Sequence, residues 1–275
     1  MQRIESTEAM RAQSRAWRRE GLSVGFVPTM GYLHRGHASL MALARPRCDR
    51  LVVSVFVNPL QFGPNEDLAR YPRDLEGDSR LCQAEGVDAL FVPDRFYDPD
   101  HSTQVNVSGL SEGLCGSARP GHFEGVCTVV ARLFGVVAPQ VAVFGEKDYQ
   151  QLAVIRRMTR DLALDVEVVG GPLIRDEDGL ALSSRNVYLN AEQRQRGLSL
   201  HRALFAMAAS EERDVARLLA LGRDMLEVDR LDYLEVVDAD SLRPLQRVEG
   251  RARALVAGFF GATRLIDNVA LERRG

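Results

Sequence analysis

The chain has 275 residues, 45% of them hydrophobic and 27% charged, with a net charge of −3. That length and balance suit one large α/β domain or two unequal ones with a sizeable core, and give no global attraction for nucleic acid or an anionic membrane surface. No apolar run is long enough to cross a bilayer and no N-terminal stretch has the pattern of a secretory leader, so the expected location is the cytoplasm.

In chain order, LSVGFV (22–27) is the first run with the apolar texture of a buried strand, and the Ala, Leu and Met of SLMALARP (39–46) are those of a helix. Strand-like runs recur at LVVSVFV (51–57), DALFVP (88–93), QVNVSG (104–109), VAVFG (141–145) and DVEVVG (165–170), with helix-like stretches between them at 74–85, 123–137 and 149–162. This alternation predicts an α/β fold, a doubly wound parallel sheet with helices on both faces. Ligands of such sheets bind beyond the carboxyl ends of the strands. After about residue 175 the texture changes to a polar loop, two helical segments over 191–228, and three strands at LDYLEVVD, ALVAGFF and TRLIDNVAL. A smaller C-terminal α+β domain is expected there, giving domains of 1–174 and 175–275. The cysteines, Cys48, Cys82, Cys115 and Cys127, follow no CxxC spacing, which argues against a zinc site and a disulfide framework. The arginines near Arg18 and at Arg273–Arg274 are expected at the solvated surface.

The chemistry-bearing residues follow strand ends. PTMGYLHRGH, after the first run, places two of the five histidines, His34 and His37, three residues apart with Gly36 between them, where a strand hands over to a helix. A helix start offers unpaired N–H groups and the positive end of the dipole, and residues three apart share a face, so both rings can address one anion. Helix capping is the competing explanation of the same pair. NPLQF supplies the neutral amides Asn58 and Gln61, suited to a small hydroxylated acid, with an Asn-Pro turn as the alternative for Asn58. Asp78, on the helix after YPR, is a candidate for holding Mg²⁺ through water. SARPGHF carries Arg119 and His122, a cation able to face a carboxylate or simply a surface loop. GEKDYQQ sets Glu146, Lys147 and Asp148 after a strand, where a lysine reaches phosphate and an aspartate accepts from ribose hydroxyls. DGLALSSRN offers two hydroxyls and Arg185 to a polyphosphate, or serves as a hydrophilic linker with a capping serine.

The chain has neither a GxxxxGK[ST] loop nor a GxGxxG fingerprint, so nucleotide chemistry rests on HxGH and the Ser-Ser-Arg loop, a pairing similar to HIGH and KMSKS in class I aminoacyl-tRNA synthetases. With FVNPLQF, YPRD, GEKDYQQL and the terminal TRLIDN in this order, the chain resembles the pantothenate synthetase (pantoate–β-alanine ligase) family. The resemblance implies a Rossmann-like sheet of the HxGH nucleotidyl-transferase type with a C-terminal lid, a homodimer, and ATP- and Mg²⁺-dependent joining of pantoate to β-alanine through a pantoyl-adenylate. Carried over by motif, Met30, Gly31, Tyr32, Leu33, His34, Arg35, Gly36 and His37 line the ATP site, with His37 as acid/base group and His34 on the triphosphate. Gly145, Glu146, Lys147 and Asp148 bind the nucleotide, Lys147 on the phosphates and Asp148 near the ribose. Ile174, Leu182, Ser183, Ser184 and Arg185 complete that site. Gln61 and Gln151 hold pantoate, helped by Asn58, with Arg119 facing a substrate carboxylate. Tyr32, Arg35 and Leu182 stand where related sequences often carry other residues. Three rivals share some of these motifs. A nucleotidyl-transferase leaves the nucleotide on its product, a synthetase-like RNA enzyme needs a basic face, and a nucleotide sensor does not turn over.

Overall fold

The computed structural model describes residues 1–64 and 66–271. Arg273 and Arg274 therefore lie outside the described residues. The chain runs β1 (Gln2–Ile4), α1 (Thr7–Arg19), β2 (Val24–Thr29), α2 (Arg35–Ala44), β3 (Arg50–Val55), α3 (Leu75–Ala84), β4 (Ala89–Phe91), the single turn α4 (Cys115–Ala118), α5 (His122–Val137), β5 (Val141–Gly145), α6 (Tyr149–Asp161) and β6 (Glu167–Gly171). Then come α7 (Ala191–Ala209), α8 (Val215–Arg223), β7 (Arg230–Asp238), β8 (Ala252–Phe260) and β9 (Thr263–Leu271). Two compact units result. One comprises Met1–Ser111, Arg119–Glu146 and Gln151–Pro172; the other comprises Glu112–Ala118, Lys147–Gln150 and the chain from Leu173 onward.

The first unit is a six-stranded parallel sheet in the order β1-β4-β3-β2-β5-β6. Its strands are apolar without alternation because both faces are covered: Val24, Phe26, Val27, Val52, Val53 and Val143 are all fully buried. Val27, Val53 and Val143 pack with Leu40 and Met41 of α2. Phe144, next along β5 and so on the other face, meets Phe134 of α5 with ring centroids 6.3 Å apart. Helices thus cover both faces, as the alternating pattern predicts. From β2 the chain steps outward through β3 and β4 on one side, and through β5 and β6 on the other. The carboxyl ends of β2 and β5 border this change of direction, the place where such sheets bind ligands.

One expected strand is absent. QVNVSG has a strand's composition, but residues 104–109 form no ladder. The sheet already ends at β1 and β6, and the Val105 amide donates instead to the hydroxyl of Thr128 on α5, at 3.0 Å. The apolar pattern of the sequence does not mark β1 or α1. Helix α1 is mostly polar and buries only Thr7, Met10, Ser14 and Trp17 along one stripe, with Ser6 capping its start.

The second unit is built on a three-stranded antiparallel sheet, β7-β8-β9, each strand nine residues long. Leu200, Leu204 and Met207 of α7 and Leu218 of α8 pack with Leu234, Val256 and Leu265 of the sheet to form its core. This is the α+β texture expected after residue 175. All four cysteines are free thiols.

Candidate active site

The turn between β2 and α2 is shaped by its own backbone. Gly31 has φ +87°, and a Cβ there would stand 2.9 Å from Val55 Cγ1 and 3.0 Å from Asp78 Oδ2, so only glycine fits. Tyr32 follows at φ +53°, a left-handed conformation costing a bulky residue about 1–2 kcal/mol, so something must hold it. Asp78 does: its carboxylate, 2% exposed, accepts from the amides of Tyr32 at 3.0 Å and Leu33 at 2.6 Å. Burial raises the Asp78 pKa, and the two amide hydrogen bonds only partly offset that rise. Both oxygens accept from the turn, which makes Asp78 the anchor of its backbone.

The turn delivers His34 to the N-cap of α2. Its Nδ1 accepts from the Gly36 amide at 3.1 Å, and the His37 Nδ1 accepts from the His34 amide at 3.2 Å. The capping explanation is therefore correct as geometry, but it does not exclude ligand binding. A ring whose Nδ1 accepts carries its proton on Nε2, so capping fixes both tautomers and makes Nε2–H the donor of each ring. The centroids are 4.1 Å apart, which sets the two rings side by side at the dipole's positive end.

The Asn58–Gln61 turn follows β3. Asn58 is 1% exposed and fully engaged: its NH₂ donates to Gln61 Oε1 and to the Gly125 carbonyl, both at 3.0 Å, while its Oδ1 accepts from Tyr97 OH and the Leu60 amide. It orients Gln61, whose Nε2 points at the Met30 sulfur 3.2 Å away, a weak acceptor. Gly125 is needed because a Cβ would fall 2.3 Å from the Leu60 carbonyl oxygen. Arg119 does meet a carboxylate, but an internal one. It grips Glu66 in two bonds of 2.7 and 2.6 Å and also reaches the Gln61 carbonyl at 3.3 Å. Burial alone would raise the Glu66 pKa, yet the hydrogen bonds and charge of Arg119 outweigh it and hold the carboxyl below its usual value. His122 is buried rather than on a surface loop. Its Nδ1–H donates to the Gln61 carbonyl at 2.8 Å, and its Nε2 therefore accepts from Arg119 at 2.9 Å. Gln151 lies half-buried on the first turn of α6.

Beyond Gly145, the end of β5, Glu146–Asp148 form one tight turn leading into α6. The Lys147 ammonium is 3.8 Å from Asp148 Oδ2. In the second unit, the Leu182 amide donates to the Ile174 carbonyl at 3.0 Å, which makes these residues the facing arms of a hairpin closed by the Asp176–Gly179 turn. Ser183 caps the short helix that follows by accepting from the Arg185 amide, and Ser184 is buried beside it. Among the described residues no group of three or more His, Cys, Asp or Glu is placed to hold a metal ion.

The family pattern described as Pantoate-beta-alanine ligase matches residues 2–270. The chain belongs to this family. The pantothenate synthetase of Heliobacterium modesticaldum is 53% identical over 280 residues, covering 99% of this chain and 100% of that protein. The crystal structure of pantothenate synthetase from Thermus thermophilus superposes with a TM-score of 0.93 at 53% identity, covering 98% and 99% of the two chains. A pantoate–β-alanine ligase from Francisella tularensis, complexed with beta-gamma ATP and β-alanine, aligns at 0.82 and 30% identity over 100% and 99%. As a member of the pantoate–β-alanine ligase family the chain is an ATP-dependent amide ligase with a Rossmann-like sheet. Sequence reasoning passed over Glu66, Tyr97 and Gly125, which build the Gln61 turn. Of these only Gly125 carried a signal, a glycine inside a helical run, where close packing is the usual cause.

Proposed function

We propose that the protein condenses pantoate with β-alanine using ATP, through a pantoyl-adenylate, releasing pyrophosphate and then AMP. The observation that carries this reading is the histidine pair on the first turn of α2. Both Nδ1 atoms are committed to backbone amides, which leaves Nε2–H as the donor each ring offers an anion. The Francisella tularensis relative bound to a nucleotide and to β-alanine supports it.

Pantoate's carboxylate is a weak nucleophile attacking an α-phosphorus surrounded by negative oxygens, so positioning and charge neutralisation supply most of the rate. His34 and His37 donate from Nε2 to the triphosphate, His37 being the acid/base group. Lys147, Ser183, Ser184 and Arg185 add donors, Asp148 takes the ribose, and the backbone of Met30–Leu33, Gly145–Glu146, Ile174 and Leu182 lines the nucleotide. Gln61 and Gln151 bind pantoate, with Asn58 and Arg119 acting through Gln61. Mg²⁺ enters as part of the substrate, carried on the phosphates of ATP. In the second step the neutral amine of β-alanine attacks the acyl carbon and AMP leaves. In this reading residues 1–174 bind ATP and pantoate, residues 175–275 serve as the lid that excludes water from the reactive anhydride, and the protein works as a cytoplasmic homodimer.

Product analysis tests the reading. With ATP, Mg²⁺, pantoate and β-alanine, it requires AMP, pyrophosphate and pantothenate in equal amounts. ADP with phosphate, or a product that keeps the nucleotide, would overturn it.

A further inference from the structure

TRLIDN helps to identify the family, yet none of its side chains is a proposed ligand contact. Asp267 and Asn268, adjacent on β9, are each only 3% exposed and project to opposite faces of the strand. Asp267 takes Arg175 in two parallel hydrogen bonds of 2.6 and 2.8 Å. The same guanidinium donates to the Gly179 carbonyl at 3.0 Å, so it ties the arm of the Ile174–Leu182 hairpin to its tip. Asn268 accepts from Arg253 Nε at 2.7 Å and donates to the Lys147 carbonyl at 2.9 Å. Arg253 only donates and a carbonyl only accepts, so the orientation of the amide is forced. The Arg253 guanidinium also lies 3.9 Å from the centroid of the Tyr149 ring, and Tyr149 OH donates to the Ala239 carbonyl at 2.9 Å.

We infer that Asp267 and Asn268 are positioning residues of the ligase reaction: β9 sets, from its two faces, the Ile174–Leu182 hairpin that leads into Ser183–Arg185 and the Lys147 turn. The inference rests on the proposed phosphate-binding role of Lys147 and Arg185. Neither Asp267 nor Asn268 touches substrate in it. Asn268 holds the carbonyl of Lys147 itself, and Asp267, through Arg175, holds the hairpin that leads into Ser183–Arg185; donors displaced by about 1 Å lose much of their effect on a transition state. β9 itself is fixed by its full register with β8, from Thr263 opposite Phe260 to Leu271 opposite Ala252. Two segments far apart in sequence thereby share one reference frame.

The test is a double-mutant cycle of Asn268→Ala with Lys147→Ala, read by ATP affinity in calorimetry and by pantoate-dependent exchange of pyrophosphate into ATP. Asn268→Ala is expected to lower exchange about tenfold or more while the far-ultraviolet spectrum stays native. In the Lys147→Ala background the same change is expected to alter affinity and residual exchange less than about twofold. Equal losses in both backgrounds, or no loss in the single variant, overturn the inference. Asn268→Asp keeps the acceptor for Arg253 and removes the donor to Lys147, so it decides the question should Asn268→Ala fail to fold. The parallel cycle pairs Asp267→Asn, which keeps the shape and removes the charge opposite Arg175, with Arg185→Ala. Undiminished exchange in Lys147→Ala alone would instead refute the role given to Lys147, so the two failures show in different variants.

Discussion

At the residue scale, the proposed site depends on groups that also hold the fold. His34 and His37 each give Nδ1 to the backbone of α2, so replacing either by Ala should cost about 0.5–2 kcal/mol of stability as lost capping and also cut turnover strongly. Denaturant melts and turnover measured on the same preparations check both halves, and full turnover in a destabilised variant would leave capping as the residue's sole role. Gln61→Ala should weaken pantoate binding more than ATP binding, because an amide whose oxygen is already taken by Asn58 offers NH₂ donors suited to hydroxyl and carboxylate. Equal losses for the two ligands in calorimetry would contradict that assignment. Glu66 makes a pH-dependent contribution of known sign. Its folded pKa lies below the ordinary 4.5, so its stabilisation is fully present above that value and lost as pH falls through the folded one. Glu66→Gln should therefore cost on the order of 1–2 kcal/mol near neutrality, the gap to wild type closing in acid, as read by unfolding at a series of pH values. A gap that stays constant into acid would show that the Arg119 pair is not its source.

At the scale of elements, what the sequence revealed follows from where each element spends its hydrogen bonds. β2, β3 and β5 were legible because strands covered on both faces must be apolar throughout, and α5 because it buries most of its length. QVNVSG misled because composition reports what a segment can bury and not whether a sheet edge is open to it. α1 was passed over because only a narrow stripe of it is apolar. The Asn58–Gln61 turn was legible as a candidate, but not the reason for its shape, since α5 touches it through a glycine that carries no chemistry of its own. Gly125→Ala should accordingly force α5 away from the turn and cost about 1–3 kcal/mol, with a larger effect on the affinity for pantoate than on that for ATP. A stable variant with normal pantoate affinity would separate α5 from Gln61. The thiols of Cys82 and Cys127 are fully buried and pushed up to about 12 by that burial, so both should resist thiol reagents in the folded protein and react once it is unfolded.

At the scale of the whole molecule, the motifs were legible together while the bonds among them were not. HxGH and the Ser-Ser-Arg loop read as ligand-facing from residue type and position, while the hydrogen bonds that Asp78, Arg119, Asp267 and Asn268 make within the protein could not be read from residue type. A charged or amide side chain in sequence does not say which backbone or side-chain group of the protein it will meet. The central claim is the adenylate: that this site activates pantoate by transferring AMP to it before any amine arrives. Exchange of labelled pyrophosphate into ATP, with pantoate and Mg²⁺ present and β-alanine absent, tests it most directly, because reversal of the first step needs only that adenylate and pyrophosphate stay bound together. The expected result is exchange that depends on pantoate. Its absence in folded, ATP-binding protein, or activation that yields ADP, would contradict it.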